Sequence, residues 1–451
     1  MRKQLRGLGP RGGLLRAAGV AAPPLYSVSA YNSLGTYQSD LNAPTANATQ
    51  DMIWAVQHII GGGTVNKIVM SLNNWVMGRG AVPGYDNGIQ LPYVDMFIKE
   101  AWLTNSNGVS KRLTYQGQTS WTVPIGGNDY QCDPVYPSDF GLSSFPMGCA
   151  FQFSGRGCGT VSGVQKNGQW GTIDEKSCVG WSNSLKRALA PIDTYPSARL
   201  TNYGVGLTDP GNGWAFGGAV PAHVMLGTWA GAVPPVYMGI GDSIVAGDVD
   251  TSQVLRPVGW FGRAMLNNFA SPTVYRARLM AGRGTGNASA WRGANNAMQI
   301  MTYWCKYANV MLERFGVNSR AYAVDYPDKQ AIWSAFKSVQ RGKYKTVVLA
   351  LTGQTLSTDS WATLGNQSFG AGTGLGADLS LINDACLADV GTKLDYYLDP
   401  LAPRGNASKT NADYWRWAPS STPDGLHPNA TTYEAMAVDV RALLTTIEAA
   451  W

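Results

Sequence analysis

Histidine, charge and long apolar runs are all scarce in this chain. Only three histidines, His58, His223 and His427, occur in 451 residues. So few leave little room for a histidine-built metal centre, and each one has to be placed individually. Charged residues make up 14% of the chain, well under the roughly 25% of an ordinary soluble domain. That shortage argues against a cytosolic helical enzyme. No run approaches the roughly 18 consecutive apolar residues of a membrane-crossing helix, so no span is expected. The six cysteines contain no C-x-x-C pair and have no histidine among them, which argues against a zinc site. Cys132, Cys149, Cys158 and Cys178 cluster in sequence. They read as two disulfides, with three pairings open, or as buried thiols. Cys305 falls in a helical pattern and reads as core.

What is abundant is glycine (54) and tryptophan (16), at a formal net charge of +6. With many Tyr, Ser, Thr and Asn, this suits a β-rich extracellular or particle-borne protein. Part of the positive charge is local: Arg2, Lys3, Arg6, Arg11 and Arg16 precede any acid. Residues 1–25 read as a basic arm that anchors the chain in an assembly. Residues 14–25 are too short and interrupted for a good signal peptide. The arm lacks interleaved aromatics, so no nucleic-acid partner is expected.

The length predicts more than one domain. From 26 to 230, short apolar runs broken by Gly, Pro, Asn and Asp predict a β-sandwich or jelly roll acting as an accessory binding domain. Within it, residues 47–60 read as a helix carrying Trp54, Val56 and Ile59. His58 reads as a packed residue there, and His223 lies in a connector without a role. From 231 to 451 the texture changes to alternating strands and helices. Strands are expected over 236–240, 274–280, 346–351 and 394–398. Helices are expected after residue 241, over 296–315, 329–340 and 433–448. The 296–315 helix would carry Ile300, Trp304, Ala308, Met311 and Phe315 at helical spacing. Such a pattern gives a parallel sheet with helices on both faces and ligands beyond the strands' carboxyl ends.

Ser243, the 282–286 loop and the 353–356 loop follow predicted strands and should meet at those ends, whereas His427 falls in the loop before the last helix. The apolar run 235–240 closes on Gly241-Asp242-Ser243, and near the C-terminus stands Asp424-Gly425-Leu426-His427-Pro428. A serine hydroxyl is a poor nucleophile until a base takes its proton, and imidazole suits that work near neutrality. Asp424 is close enough in sequence to face the second ring nitrogen of His427. The bland alternatives are a helix cap for Ser243 and a turn-former for Asp424. Ser243 lacks the G-x-S-x-G elbow, because Val245 occupies the second glycine's place. Asp248 and Asp250 read as turn residues rather than a calcium loop. No cofactor and no metal is expected.

Gly241-Asp242-Ser243 after a strand, with Asp424-Gly-Leu-His427-Pro-Asn before a closing helix, resembles the SGNH/GDSL hydrolases over 231–451. The resemblance implies a three-layer α/β domain and a serine esterase with Ser243, His427 and Asp424 as its triad. It also implies an oxyanion hole: the Ser243 N–H, a glycine N–H after the second strand, and an Asn from a G-x-N-D block. Gly286 fits the glycine best, with Gly284 next. After the 346–351 strand stands Gly353-Gln354-Thr355-Leu356, with Thr355 in the place of the Asn. Thr355, Gln354 or Asn287 then donates, or the hole has two donors, or catalysis has decayed. The expected substrate is an acyl, above all O-acetyl, ester on a surface polysaccharide. The setting expected is a phage particle or the extracellular space, with virion proteins as partners of the arm and oligomers open. A catalytically silent virion binding protein and a secreted lipase-like esterase are the other readings.

Overall fold

A computed structural model describes residues 23–32, 51–74, 76–77, 89–90, 95–159, 172–173, 177–182, 214–216, 219–220, 222–247, 249–250, 259–268, 271–282, 297–318, 321–369 and 377–451. The 1–25 arm, apart from its last three residues, lies outside them, as do Asp248, Gly284, Gly286 and Asn287.

The first half is antiparallel and β-rich. One four-stranded sheet orders Tyr26–Ser27, Ala222–Trp229, Val65–Asn73 and Tyr130–Gln131. A seven-stranded sheet is built around Asp51–Ile59, Ala150–Gly159 and Met96–Asn105. Over its described part, the helix expected across 47–60 is therefore a strand. Val56 is buried there, and β-branched and aromatic residues favour a pleated, covered position over a helix. His223 likewise sits on a strand, not in a connector. Cys132 and Cys149 are free thiols, so neither takes part in the disulfides the clustering suggested. Burial pushes the Cys132 thiol above the range in which it would ionise. The side chains of Cys158 and Cys178 lie outside the described residues.

The second half alternates strand and helix. In chain order it contains β1 (Tyr237–Gly241), α1 (Ser243–Ala246), α2 (Gly259–Ala264), β2 (Arg278–Gly282), α3 (Ala297–Cys305), β3 (Val310–Arg314), α4 (Tyr322–Ser338), β4 (Lys345–Leu349), α5 (Ala377–Ala388), β5 (Tyr396–Leu398) and α6 (Ala430–Ala449). The five strands form one parallel sheet in the order β2-β1-β3-β4-β5. Their side chains alternate between two apolar layers, as the pleat requires. Tyr237, Met280, Leu312 and Val347 face Trp260 and Phe261 of α2 and Tyr433, Met436 and Val440 of α6. Met238, Leu279, Met311 and Val348 face Trp304 of α3, Trp333 and Phe336 of α4, and Ile382 of α5.

The 296–315 segment corrects the sequence reading. It is a helix to Cys305 and then the strand β3. The apolar spacing runs on because β3 is buried along its whole length, and no Gly or Pro marks the break at 306–309.

The two halves pack together through one buried cluster that takes in Val28, Ile68 and Val224 as well as Leu279 and Trp304. The outer edge of β2 is covered by the segment from Ser27 to Asn32. Arg278 and Met280 N–H donate to the carbonyls of Ser29 and Asn32 at 2.9 and 3.1 Å. An exposed strand edge is thereby satisfied within the chain. Among the described residues no helix is long and apolar enough to cross a membrane, and no group of three or more His, Cys, Asp or Glu could hold a metal ion.

Candidate active site

Strand β1 delivers Ser243 to the carboxyl edge of the sheet. Gly241 must be glycine, since a Cβ there would lie 2.3 Å from Val245 Cγ2 and 2.7 Å from the Arg314 carbonyl. Asp242 then leaves the strand and caps the single turn α1, its Oδ1 accepting from Ile244 N–H at 3.0 Å. Asp242 is wholly buried, and burial raises its carboxyl to about 6 against the pull of Arg314 and the Ile244 N–H.

His427 comes from the loop before α6. That loop is tied from several sides. Thr422 Oγ1 donates to the His427 carbonyl at 2.7 Å and accepts from Gly425 N–H at 2.9 Å. Trp417 Nε1 and the Thr355 N–H both donate to the Gly425 carbonyl, at 2.7 and 3.0 Å. Gly425 has φ +74°, and a Cβ there would stand 2.0 Å from the Thr355 carbonyl oxygen and 2.7 Å from Trp361 Cζ2. Asn429 ends the loop by capping α6 at Thr432 N–H.

This geometry sets three side chains in a row. His427 Nε2 lies 2.9 Å from Ser243 Oγ, and His427 Nδ1 lies 2.6 Å from Asp424 Oδ2. The other oxygen, Asp424 Oδ1, accepts from Leu426 and His427 N–H at 2.9 and 2.8 Å. Burial opposes ionisation of Asp424, but the hydrogen bonds from the His427 ring and from these two amides prevail and hold its carboxyl at about 2. Exposure rises along the row, from 2% at Ser243 to 15% and 41% at the side chains of His427 and Asp424. An ionised Asp424 fixes the tautomer with Nδ1–H, which leaves Nε2 as the acceptor for the Ser243 hydroxyl.

Thr355 is engaged by other partners. Its hydroxyl accepts from Trp361 Nε1 at 2.9 Å and donates to Gln367 Oε1 at 3.3 Å, while its N–H supports Gly425. It braces the His427 loop. Gln354 follows β4, which is separated from β1 by β3. The strand beside β1 is β3, and the turn after it reads Gly316-Val317-Asn318-Ser319. This is the G-x-N pattern, one strand earlier than the sequence reading sought it. Asn318 is exposed in that turn. Reading 296–315 as one helix hid it; the Gly316 break after an apolar run was the available signal. Asp250 accepts from Arg263 Nε and Nη2 and from Gly259 N–H, which makes it a brace for α2.

No protein-family model and no curated protein matches the chain. Among solved structures, a carbohydrate acetylesterase from Sinorhizobium meliloti is 13% identical, covering 48% of this chain and 100% of that chain at a TM-score of 0.32. Phospholipase A1 from Streptomyces albidoflavus is also 13% identical, covering 48% and 99% at 0.31. An active-site mutant of a family two carbohydrate esterase from Clostridium thermocellum is 12% identical, covering 94% and 98% at 0.30. These neighbours are ester hydrolases by name.

Proposed function

We propose that the chain is a serine ester hydrolase of the SGNH/GDSL type. The observation that carries this is the continuous relay Ser243 Oγ, His427 Nε2, His427 Nδ1, Asp424 Oδ2, at 2.9 and 2.6 Å. Ser243 Oγ attacks the ester carbonyl as its proton passes to His427 Nε2. The imidazolium, steadied by Asp424, returns that proton to the departing alcohol oxygen and leaves an acyl-serine. Water then gives a proton to His427 and attacks the acyl carbon; the acyl–Oγ bond breaks, His427 returns the proton to Ser243 Oγ, and the acid leaves. We assign the developing oxyanion to the Ser243 N–H and the Asn318 side chain, together with the glycine N–H that the resemblance implies at Gly286 or Gly284. One such donor is commonly worth about 3–4 kcal/mol.

The substrate we propose is an O-acetylated polysaccharide, held by the β-rich half as a sandwich-type binding module. The basic arm at residues 2–16 would anchor the chain among virion proteins of a phage particle. Low charge and a Trp- and Gly-rich composition support that setting. The test is release of free acetate from an O-acetylated polysaccharide, run beside p-nitrophenyl acetate and octanoate. We expect acetate release and a preference for the acetyl ester. A preference for octanoate would point to a lipase-like enzyme, and no turnover of any ester to a silent binding protein.

A further inference from the structure

We infer that Arg314 is a positioning residue of the reaction, holding the Ser243 turn through Asp242. The inference rests on the reading of Ser243 as the nucleophile. Arg314 is the last residue of β3 and is fully buried. Its guanidinium joins the carboxyl ends of three neighbouring strands. Nη1 lies 3.8 Å from Asp242 Oδ1, just past β1. Nη2 donates to Thr352 Oγ1 at 2.9 Å, just past β4. Its own strand runs directly into the turn that carries Asn318. The backbone closes in as well, since the Arg314 carbonyl lies 2.7 Å from where a Cβ on Gly241 would be.

Two buried opposite charges 3.8 Å apart are a costly way to fill space, and apolar residues of the same volume often hold a fold as well or better. No hydrogen bond joins the two, and what the pair adds is a Coulombic tether between the ends of β1 and β3. Asp242 also caps Ile244 N–H, so pulling its carboxylate toward Arg314 fixes the turn from which Ser243 Oγ projects. The same guanidinium sets the start of the 316–318 turn against the end of β4. The nucleophile and Asn318 are thus referred to one group. The neighbouring Glu313 braces the same stretch, accepting from Lys329 Nζ at 2.8 Å, from Trp333 Nε1 at 3.2 Å and from the Phe315 N–H at 2.6 Å.

The test is a double-mutant cycle of Arg314→Met and Asp242→Asn in the full chain. Active sites are titrated with a fluorophosphonate, so that kcat is counted per reactive serine. A misplacement of the nucleophile by about 1 Å typically costs about 100-fold, and we expect Arg314→Met to lower kcat by that order with KM within about twofold. Acting through Asp242 makes the losses non-additive, so the double variant should lie within about threefold of the weaker single. Arg314→Lys, which keeps the charge, should recover about tenfold and carries the kcat-against-KM test if Arg314→Met does not fold. Additive losses would overturn the inference. So would a lowered Tm with unchanged kcat per titrated site, the signature of a purely structural pair. A wild-type chain that turns over esters but whose Ser243 does not titrate would instead sink the nucleophile assignment beneath it.

Discussion

Replacing Asp424 separates what its charge does from what its shape does. Its carboxyl is held at about 2, against an ordinary 3.8. At face value that difference is roughly 2.5 kcal/mol of preference for the ionised, hydrogen-bonded form. With the side chain 41% exposed, solvent screening reduces this to about 1 kcal/mol. That preference belongs to the resting enzyme and speeds the reaction only as far as it grows when His427 becomes an imidazolium. Orientation adds the rest. In Asp424→Ala the imidazole loses its partner at Nδ1 but can still sample the productive tautomer, and kcat should fall about 10- to 100-fold. In Asp424→Asn the amide oxygen can keep the Leu426 and His427 N–H bonds, which turns the NH2 against Nδ1. That favours the tautomer with the proton on Nε2, facing Ser243, and removes the base. The expected loss is about 10³- to 10⁴-fold, the scale seen when a triad carboxylate becomes an amide. Steady-state hydrolysis of p-nitrophenyl acetate near pH 7.5 measures both. Asn more active than Ala, or both within threefold of wild type, would refute the role given to Asp424.

Three further outcomes follow from the packing. His58 Nε2 faces His223 Nε2 at 3.0 Å in a buried site between the two antiparallel sheets. Burial, and then the charge of His223, hold His58 well below its usual range. Its folded value lies under the unfolded 6.5, so the stability it permits is complete above about pH 6.5 and is lost as pH falls below it. Tm should decline from pH 7 to 5, by about 2–4 °C for each kcal/mol lost. A His58→Phe variant should decline less steeply, and equal slopes would contradict the argument. Gly425→Ala forces a Cβ toward the Thr355 carbonyl at a φ that costs an L-residue about 1–2 kcal/mol. It should lower kcat on p-nitrophenyl acetate at least tenfold, whereas wild-type kcat would mean the His427 loop is slack. Lys329→Met strands Glu313 as a buried charge and should destabilise the fold by about 3–5 kcal/mol in denaturant unfolding. A loss under about 1 kcal/mol would contradict that pairing.

The alternation of strand and helix after residue 230 is visible in the sequence because buried parallel strands and amphipathic helices leave different periods. The run before Gly241 and the closing helix Ala430–Ala449 are examples. The proximity of Ser243, His427 and Asp424 follows from the resemblance their two motifs carry. Elsewhere periodicity misleads for physical reasons. Strand β3 is buried on both faces, so its apolar residues extend the stripe of α3 without a break, and Glu313 and Arg314 inside it look like a solvated helix end. Their burial depends on Lys329 and Asp242, which are distant in sequence. Read as helix, 310–314 leaves Gly316-Val317-Asn318 with no strand before it, and the G-x-N pattern goes unseen. Strand Asp51–Ile59 was hidden in the same way, since its partners are about 100 residues away at Ala150–Gly159. The pairing of His58 with His223 is likewise a product of tertiary packing.

The central claim is that Ser243 becomes acylated with His427 as its base. Intact-mass measurement after fluorophosphonate treatment, followed by peptide mapping, tests it directly in wild type, Ser243→Ala and His427→Ala. A single adduct on Ser243 in wild type is expected, with none in Ser243→Ala and strongly slowed labelling in His427→Ala. Turnover of p-nitrophenyl acetate should fall about a thousandfold or more in both variants. An adduct on another residue, or equal ester turnover by wild type and Ser243→Ala, would contradict the account.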